Sequence, residues 1–266
     1  MGPQRVVSLN LCADELLLLL GSPQQIASLT WLVKDPALSW SAQNAAAFPS
    51  NRGHVEEILL FEPELVLAGA FTASTTLTLL QRLNIPVLKL SMPTELQQVK
   101  AQLRQVATAL GRPDVAERVI ADMDRRLDKL AGAAVMVPGS RRPVAALFQP
   151  NGLTATAGSL IDHIFDMAGL TNLAVLRDLP NYGRLPLETL VFDQPDLLVM
   201  SDYEQQLPSL AQALVRHPVL ARTFADTRRV VVPAQTWTCA GPNMITAVEI
   251  LHKAMRVHVQ DRVNAS

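Results

Sequence analysis

Short apolar runs recur along the chain, and between them lie longer stretches in which apolar residues return at every third or fourth position. The runs at residues 6–9, 65–68, 87–90, 144–148, 197–200 and 230–232 are rich in Val and Leu and bounded by turn residues, which predicts buried strands. Helical patterns cover residues 13–20, 55–61, 75–83, 159–168, 187–192, 207–214 and 244–259. Strands that alternate with helices predict an α/β fold of parallel sheets covered on both faces.

The middle of the chain has a different pattern. Thr94 and Gln97 form a capping-box signature after Pro93, opening a helix that Gly111 closes. Pro113 suits the first turn of a second helix, along which Val115, Val119, Ile120, Met123, Leu127 and Leu130 repeat at three- and four-residue steps. Asp122 and Arg126 sit four apart on its polar side. The helix is about 18 residues, or roughly 27 Å, long. The expected division is a lobe at 1–111, a connecting helix at 112–133 and a second lobe at 134–266. Packing of that helix as one more layer of a single domain is the alternative.

An internal repeat runs across this division. Residues 52–68 read RGHVEEILLFEPELVLA and residues 184–200 read RLPLETLVFDQPDLLVM. Without a gap, Arg52 matches Arg184, Glu56 matches Glu188, Pro63 matches Pro195 and Leu65 matches Leu197, while Glu64 faces Asp196. In each copy a short helix begins near the Glu, stops before the Pro and feeds a buried strand. A spacing of 132 residues, about half the chain, predicts duplicated lobes.

Composition removes several function classes. Of the 266 residues, 49% are hydrophobic and 18% charged, and 23 Lys and Arg against 24 Asp and Glu leave a net charge of −1. No region has the excess of cations that a nucleic-acid backbone or an anionic membrane surface requires. The longest uncharged stretch, residues 16–33, is broken by Gly21, Ser22 and Pro23 and cannot span a bilayer as one helix. The opening MGPQRVV lacks the basic and apolar segments of a signal peptide, so the chain is read as either cytoplasmic or a mature form. GxSxG, Walker A and GxGxxG patterns are absent, the five His residues show no metal spacing, and no catalytic or metal residue is assigned.

RVVSLNLCADELLLLLG, the pair VEEILLFEPELVLAG and LETLVFDQPDLLVM, PDVAERVIADMDRRLDKL, and TAGSLIDHIFDMAGLTNLA together resemble the class III periplasmic substrate-binding proteins of ABC importers. These are the cobalamin, ferric-siderophore and haem receptors, and the resemblance covers nearly the whole chain. It implies two Rossmann-like α/β lobes with parallel sheets joined by a single long α-helix, with a metal chelate held between them and little hinge motion. It also implies a periplasmic, monomeric, non-enzymatic protein without a cofactor. A permease would be its partner, met by one glutamate on each lobe, here Glu56 and Glu188; the first turn of a helix favours an acid in any case. A receptor for free zinc or manganese, and a Cys-dependent enzyme, are the alternatives.

Ligands of doubly wound sheets bind beyond the carboxyl ends of the strands, which picks out Asn10, Phe71, Asn151 and Asp202. The resemblance adds Trp31 in the first-lobe loop, with Trp40 in the same loop, and Trp237 and Tyr182; the place matching Tyr182 in the first lobe is Ser50, a departure from an aromatic sandwich. Arg52 and Arg184, one per lobe, suit carboxylates or phosphate on the ligand, or else each ties down its own loop. Cys12 and Cys239 are open to three readings: a disulfide in an oxidising periplasm, metal ligation, or two separate small apolar residues.

Overall fold

A computed structural model describes residues 2–132, 141–180, 183–201 and 210–264. The chain forms two compact units. The first comprises Met1–Met123 with Thr238–Asn243, and the second Asp124–Trp237 with Met244–Ser266.

In the first unit, β1 (Val6–Ser8) leads to α1 (Leu11–Leu20), β2 (Ile26–Thr30), α2 (Ala42–Ala45), β3 (Ser50–Asn51), α3 (Val55–Leu59), β4 (Leu65–Ala68), α4 (Ser74–Arg82), β5 (Val87–Lys89) and α5 (Leu96–Ala109). The first part of α6 (Pro113–Gly132) completes it. The strands lie in the order β3-β2-β1-β4-β5, and every pairing is parallel. β1 and β4 are buried along their whole length because helices cover both faces. Val7, Ile58, Val66 and Leu80 form a core cluster that seats α3 and α4 on the sheet.

The second unit continues from α6 into β6 (Val144–Leu147), α7 (Leu160–Met167), β7 (Thr171–Asn172), α8 (Leu173–Leu176), α9 (Leu187–Asp193), β8 (Leu197–Ser201), α10 (Leu210–Val215), α11 (Pro218–Thr223), β9 (Arg229–Val232) and α12 (Met244–Asn264). Its sheet is β7-β6-β8-β9, again parallel throughout. Phe148, Leu190, Leu198 and Phe224 are central to its core. Arg126 of α6 reaches α12, where its Nε and Nη2 donate to the two carboxylate oxygens of Glu249 at 2.8 and 2.7 Å, and Nη2 also donates to Thr246 Oγ1 at 2.9 Å.

The repeat is structural. Residues Glu62 and Gln194, 132 apart, both take a left-handed backbone, φ 45° and 43°, immediately before Pro63 and Pro195. Neither is glycine, so each carries a cost of roughly 1–2 kcal/mol that the surrounding turn must offset. The acids that follow supply part of the offset. Glu64 accepts from Gln4 N–H at 2.9 Å and pairs with Arg5, whereas Asp196 accepts from Val144 N–H at 2.8 Å and pairs with Arg141. In each unit the acid after the Pro therefore ties the entry of β4 or β8 to the start of the strand it pairs with, β1 or β6.

Several details differ from the sequence expectation. β2, β3 and β7 are additional strands; β2 reads IASLT, whose Ser and Thr break the apolar run, and the other two are two-residue edge strands too short to show a period. At α5 the capping box shifts: Glu95 is the N-cap with no side-chain capping bond, and Gln98 rather than Gln97 accepts from Thr94 N–H, at 3.0 Å. Where lobes at 1–111 and 134–266 were expected on either side of a helix at 112–133, the units part inside α6, at Met123, and Thr238–Asn243 belongs to the first unit.

Candidate functional site

Because all five strands of the first sheet run the same way, their carboxyl ends share one edge, and the loops leaving that edge hold several predicted residues. Asn10 follows β1 and caps α1, its Oδ1 accepting from Ala13 N–H at 2.9 Å. Trp31 follows β2 and is 53% exposed, Arg52 follows β3, and Phe71 follows β4 and is 80% exposed. Trp40, in the β2–β3 loop, is 50% exposed and Met92, after β5, 54%. The strand order reverses between β1 and β4, the point at which such sheets bind ligands. There Asn10 lies against Gly69: a Cβ on Gly69 would come within 2.5 Å of Asn10 Nδ2. The Arg52 guanidinium makes no hydrogen bond or ion pair among the described residues, while its N–H donates to Glu57 Oε2 at 2.6 Å. It thus does not tie down its own loop.

Buried polar side chains fix this edge from below. Asn51 Nδ2 donates to Ser8 O at 3.0 Å, Ser28 Oγ at 2.9 Å and Leu29 O at 3.1 Å, tying three strands together just before Arg52. Asp14 is wholly buried in α1; Thr30 N–H donates to its Oδ1 at 2.9 Å and the Thr30 hydroxyl to its Oδ2. Burial pushes the Asp14 carboxyl up to about 7, and the bonds from Thr30 only partly oppose it. The neighbouring Glu15 accepts from Ser39 Oγ at 2.6 Å and from Ser41 Oγ at 2.5 Å.

Cys12, in the first turn of α1, forms a disulfide with Cys239, with a Cα–Cα distance of 5.1 Å. This holds Thr238–Asn243 to the first unit, near the strand ends that carry Asn10. Metal ligation by either thiolate is thereby removed, and no group of three or more His, Cys, Asp or Glu among the described residues could hold a metal ion.

In the second unit, Asn151 follows β6, exposed and left-handed at φ 60°. Arg184 is exposed, its backbone bridged to Leu153, and its guanidinium has no hydrogen bond or ion pair among the described residues. Trp237 is 5% exposed, so its ring belongs to the core. Tyr182 and Asp202 lie outside the described residues.

Glu56 and Glu188 are exposed in the first turns of α3 and α9. Four residues on from each, on the same helical side, stand Leu60 and Phe192, 82% and 85% exposed. Ile58 and Leu190, two residues after each Glu, are fully buried. Each unit therefore presents an acid beside a large apolar side chain at equivalent places of the repeat.

The family model for periplasmic binding proteins matches residues 6–233. The chain belongs to the periplasmic binding protein family. Among curated relatives of this binding protein, a cobalamin-binding protein of Halobacterium salinarum is 28% identical over 242 residues, covering 88% of the chain and 64% of the relative. The chain thus spans under two thirds of that protein's length. A periplasmic haem-binding protein of Pseudomonas aeruginosa superposes with a TM-score of 0.74 at 23% identity, covering 95% of this chain and 92% of the other. The periplasmic vitamin B12-binding protein of Vibrio cholerae gives 0.70 at 17%, covering 96% and 98%. At such identity these structures show the fold: two parallel sheets flanked by helices.

Sequence reasoning did not reach Met92, nor the supports Asp14, Glu15 and Asn51. An acid within the apolar stretch LCADELLLLL was a signal for Asp14, since a helix face that is otherwise apolar buries whatever it carries. Nothing in the pattern pointed to Glu15 or Asn51, whose partners are 24 and 43 residues away.

Proposed function

We propose that this binding protein captures a large metal chelate, cobalamin in the first instance, at the carboxyl ends of its strands and delivers it to the permease of an ABC importer outside the cytoplasm. The observation that carries this reading is the exposure of Trp31, Trp40, Phe71 and Met92 along one edge of the first sheet. A small hydrated ion has no use for such a rim, whereas a corrin or porphyrin has broad apolar faces to cover it. Covering roughly 100 Å² on each of the three rings contributes on the order of 7 kcal/mol before association costs. The exposed Arg52, on the same edge of the first sheet, supplies a cation for phosphate or carboxylate groups at the chelate's periphery. The chemistry is affinity and docking, with no bond made or broken.

The paired exposed acids and apolar side chains, Glu56 with Leu60 and Glu188 with Phe192, are the docking points for the permease. Two copies of one patch suit a partner that offers two equivalent basic surfaces. The reading is tested by titrating the protein with cyanocobalamin, haem and a panel of ferric siderophores, with zinc and manganese ions as controls, while following tryptophan fluorescence. Saturable submicromolar binding of cyanocobalamin, weakened about tenfold or more by Phe71→Ala, is expected. Response to the bare ions alone would replace this reading with that of a free-metal receptor.

A further inference from the structure

An exposed indole on a loop ordinarily folds back onto the nearest apolar surface, because that removes its ring from water. Trp31 and Trp40 stay about half exposed, and the residues next to each are bonded to α1. Asp14 and Glu15 are consecutive in α1, so their side chains diverge by about 100° around the helix. Asp14 points inward and grips Thr30, the residue directly before Trp31, through both its N–H and its hydroxyl. Glu15 points sideways and takes one hydroxyl on each carboxylate oxygen, from Ser39 and Ser41, the two residues that flank Trp40. Ser41 N–H also donates to Glu15 Oε1, at 3.3 Å.

The chain between the two tryptophans is fixed as well. Val33 and Ser39 are buried, Ser39 N–H donates to Asp35 O at 2.9 Å, and Lys34 Nζ donates to Phe48 O at 2.8 Å. A single exposed aromatic residue needs no explanation. Two of them, each gripped at its backbone neighbours by a separate carboxylate of one helix, form a built arrangement.

We propose that Asp14 and Glu15 are positioning residues that hold Trp31 and Trp40 out as a preset aromatic platform for the flat face of a macrocyclic metal chelate. The proposal rests on the chelate-binding function proposed above. Presetting matters because a platform already in place pays no ordering entropy when the ligand arrives. Glu15 touches no ligand in this scheme; it acts through Trp40.

Two measurements test it on the full chain. The first needs no ligand: in a protein whose only indole is Trp40, made by Trp31→Phe and Trp237→Phe, time-resolved fluorescence anisotropy reports the local freedom of the ring. Glu15→Ala is expected to add a fast component of large amplitude, and an unchanged decay would overturn the positioning role whatever the protein binds. The second is a double-mutant cycle with cyanocobalamin, repeated with haem, and circular dichroism to confirm folding. Glu15→Ala is expected to weaken binding about three- to tenfold in the wild-type background and by less than twofold in a Trp40→Ala background. Equal losses in both backgrounds would mean that Glu15 does not act through Trp40. If the wild-type protein takes up neither compound while the anisotropy responds as expected, positioning stands, and the chelate function and the platform's ligand fall together.

Discussion

The disulfide offers the sharpest stability test, because its loop is nearly the whole chain. Cys12 and Cys239 are 227 residues apart, and the closed loop contains all of Asp124–Trp237. In the chain-entropy treatment a cross-link of that span removes about 5 kcal/mol of freedom from the unfolded ensemble at 25 °C, against roughly 2–5 kcal/mol usually lost with a native bridge. The perturbation is Cys12→Ala together with Cys239→Ala, which removes little packing since both residues are only half-buried. With a urea slope of about 3 kcal/mol/M, the midpoint should fall by roughly 0.7–1.7 M. Urea unfolding followed by circular dichroism, with and without reductant, reads it directly. Reductant should bring the wild-type midpoint down to that of the variant and leave the variant unmoved. A wild-type midpoint indifferent to reductant, after thiol alkylation has confirmed that the bridge opened, would refute the argument that this link constrains the unfolded chain.

Three further outcomes follow from particular contacts. Asp14 has a folded pKa of about 7 against 3.8 for the free group, so between those values the folded protein keeps a proton that the unfolded chain has lost. Stability from this group is present below about pH 4 and declines as pH rises to about 7, by on the order of 4 kcal/mol; Asp14→Asn should lose that decline, and urea midpoints that run parallel to wild type from pH 4.5 to 8 would contradict it. Gly69→Ala would press a methyl group into the Asn10 amide at the cap of α1 and should cost about 1–3 kcal/mol, read as a lowered thermal midpoint. Leu60→Ser with Phe192→Ser, and separately Glu56→Ala with Glu188→Ala, should leave cyanocobalamin affinity unchanged while lowering ligand-dependent ATPase of the permease complex in nanodiscs by about tenfold; undiminished stimulation in both would remove the docking role.

Much of the fold was legible because buried parallel strands need continuous apolar runs, and the runs at 65–68 and 197–200 fall on β4 and β8. The duplication was legible for a related reason: the Pro and acid that follow each short helix are demanded by a turn that must reverse and then anchor a strand, so the residue types recur with the geometry. The site was legible only in part. Position beyond a strand end placed Asn10 and Phe71 on one edge and named Asn151 in the second unit, whereas Arg52 was named by the repeat, and the two-residue strand β3 that brings it to the same edge was not legible. It could not tell that the Trp237 ring is buried while Trp31 is exposed, because both are aromatic residues that follow a strand, and exposure depends on what the rest of the unit packs around them.

The sequence by itself determined the α/β class, the two repeated halves and the chemistry available at the strand ends, since these depend on periodicity and residue type, which are local. Tertiary structure alone decided which partners meet. The pairing of Cys12 with Cys239, the return of Thr238–Asn243 to the first unit, and the grip of Glu15 on Ser39 and Ser41 all join residues distant in sequence. No periodic pattern encodes such contacts, because each is set by packing that brings two segments together and by the cost of leaving a polar group buried without a partner.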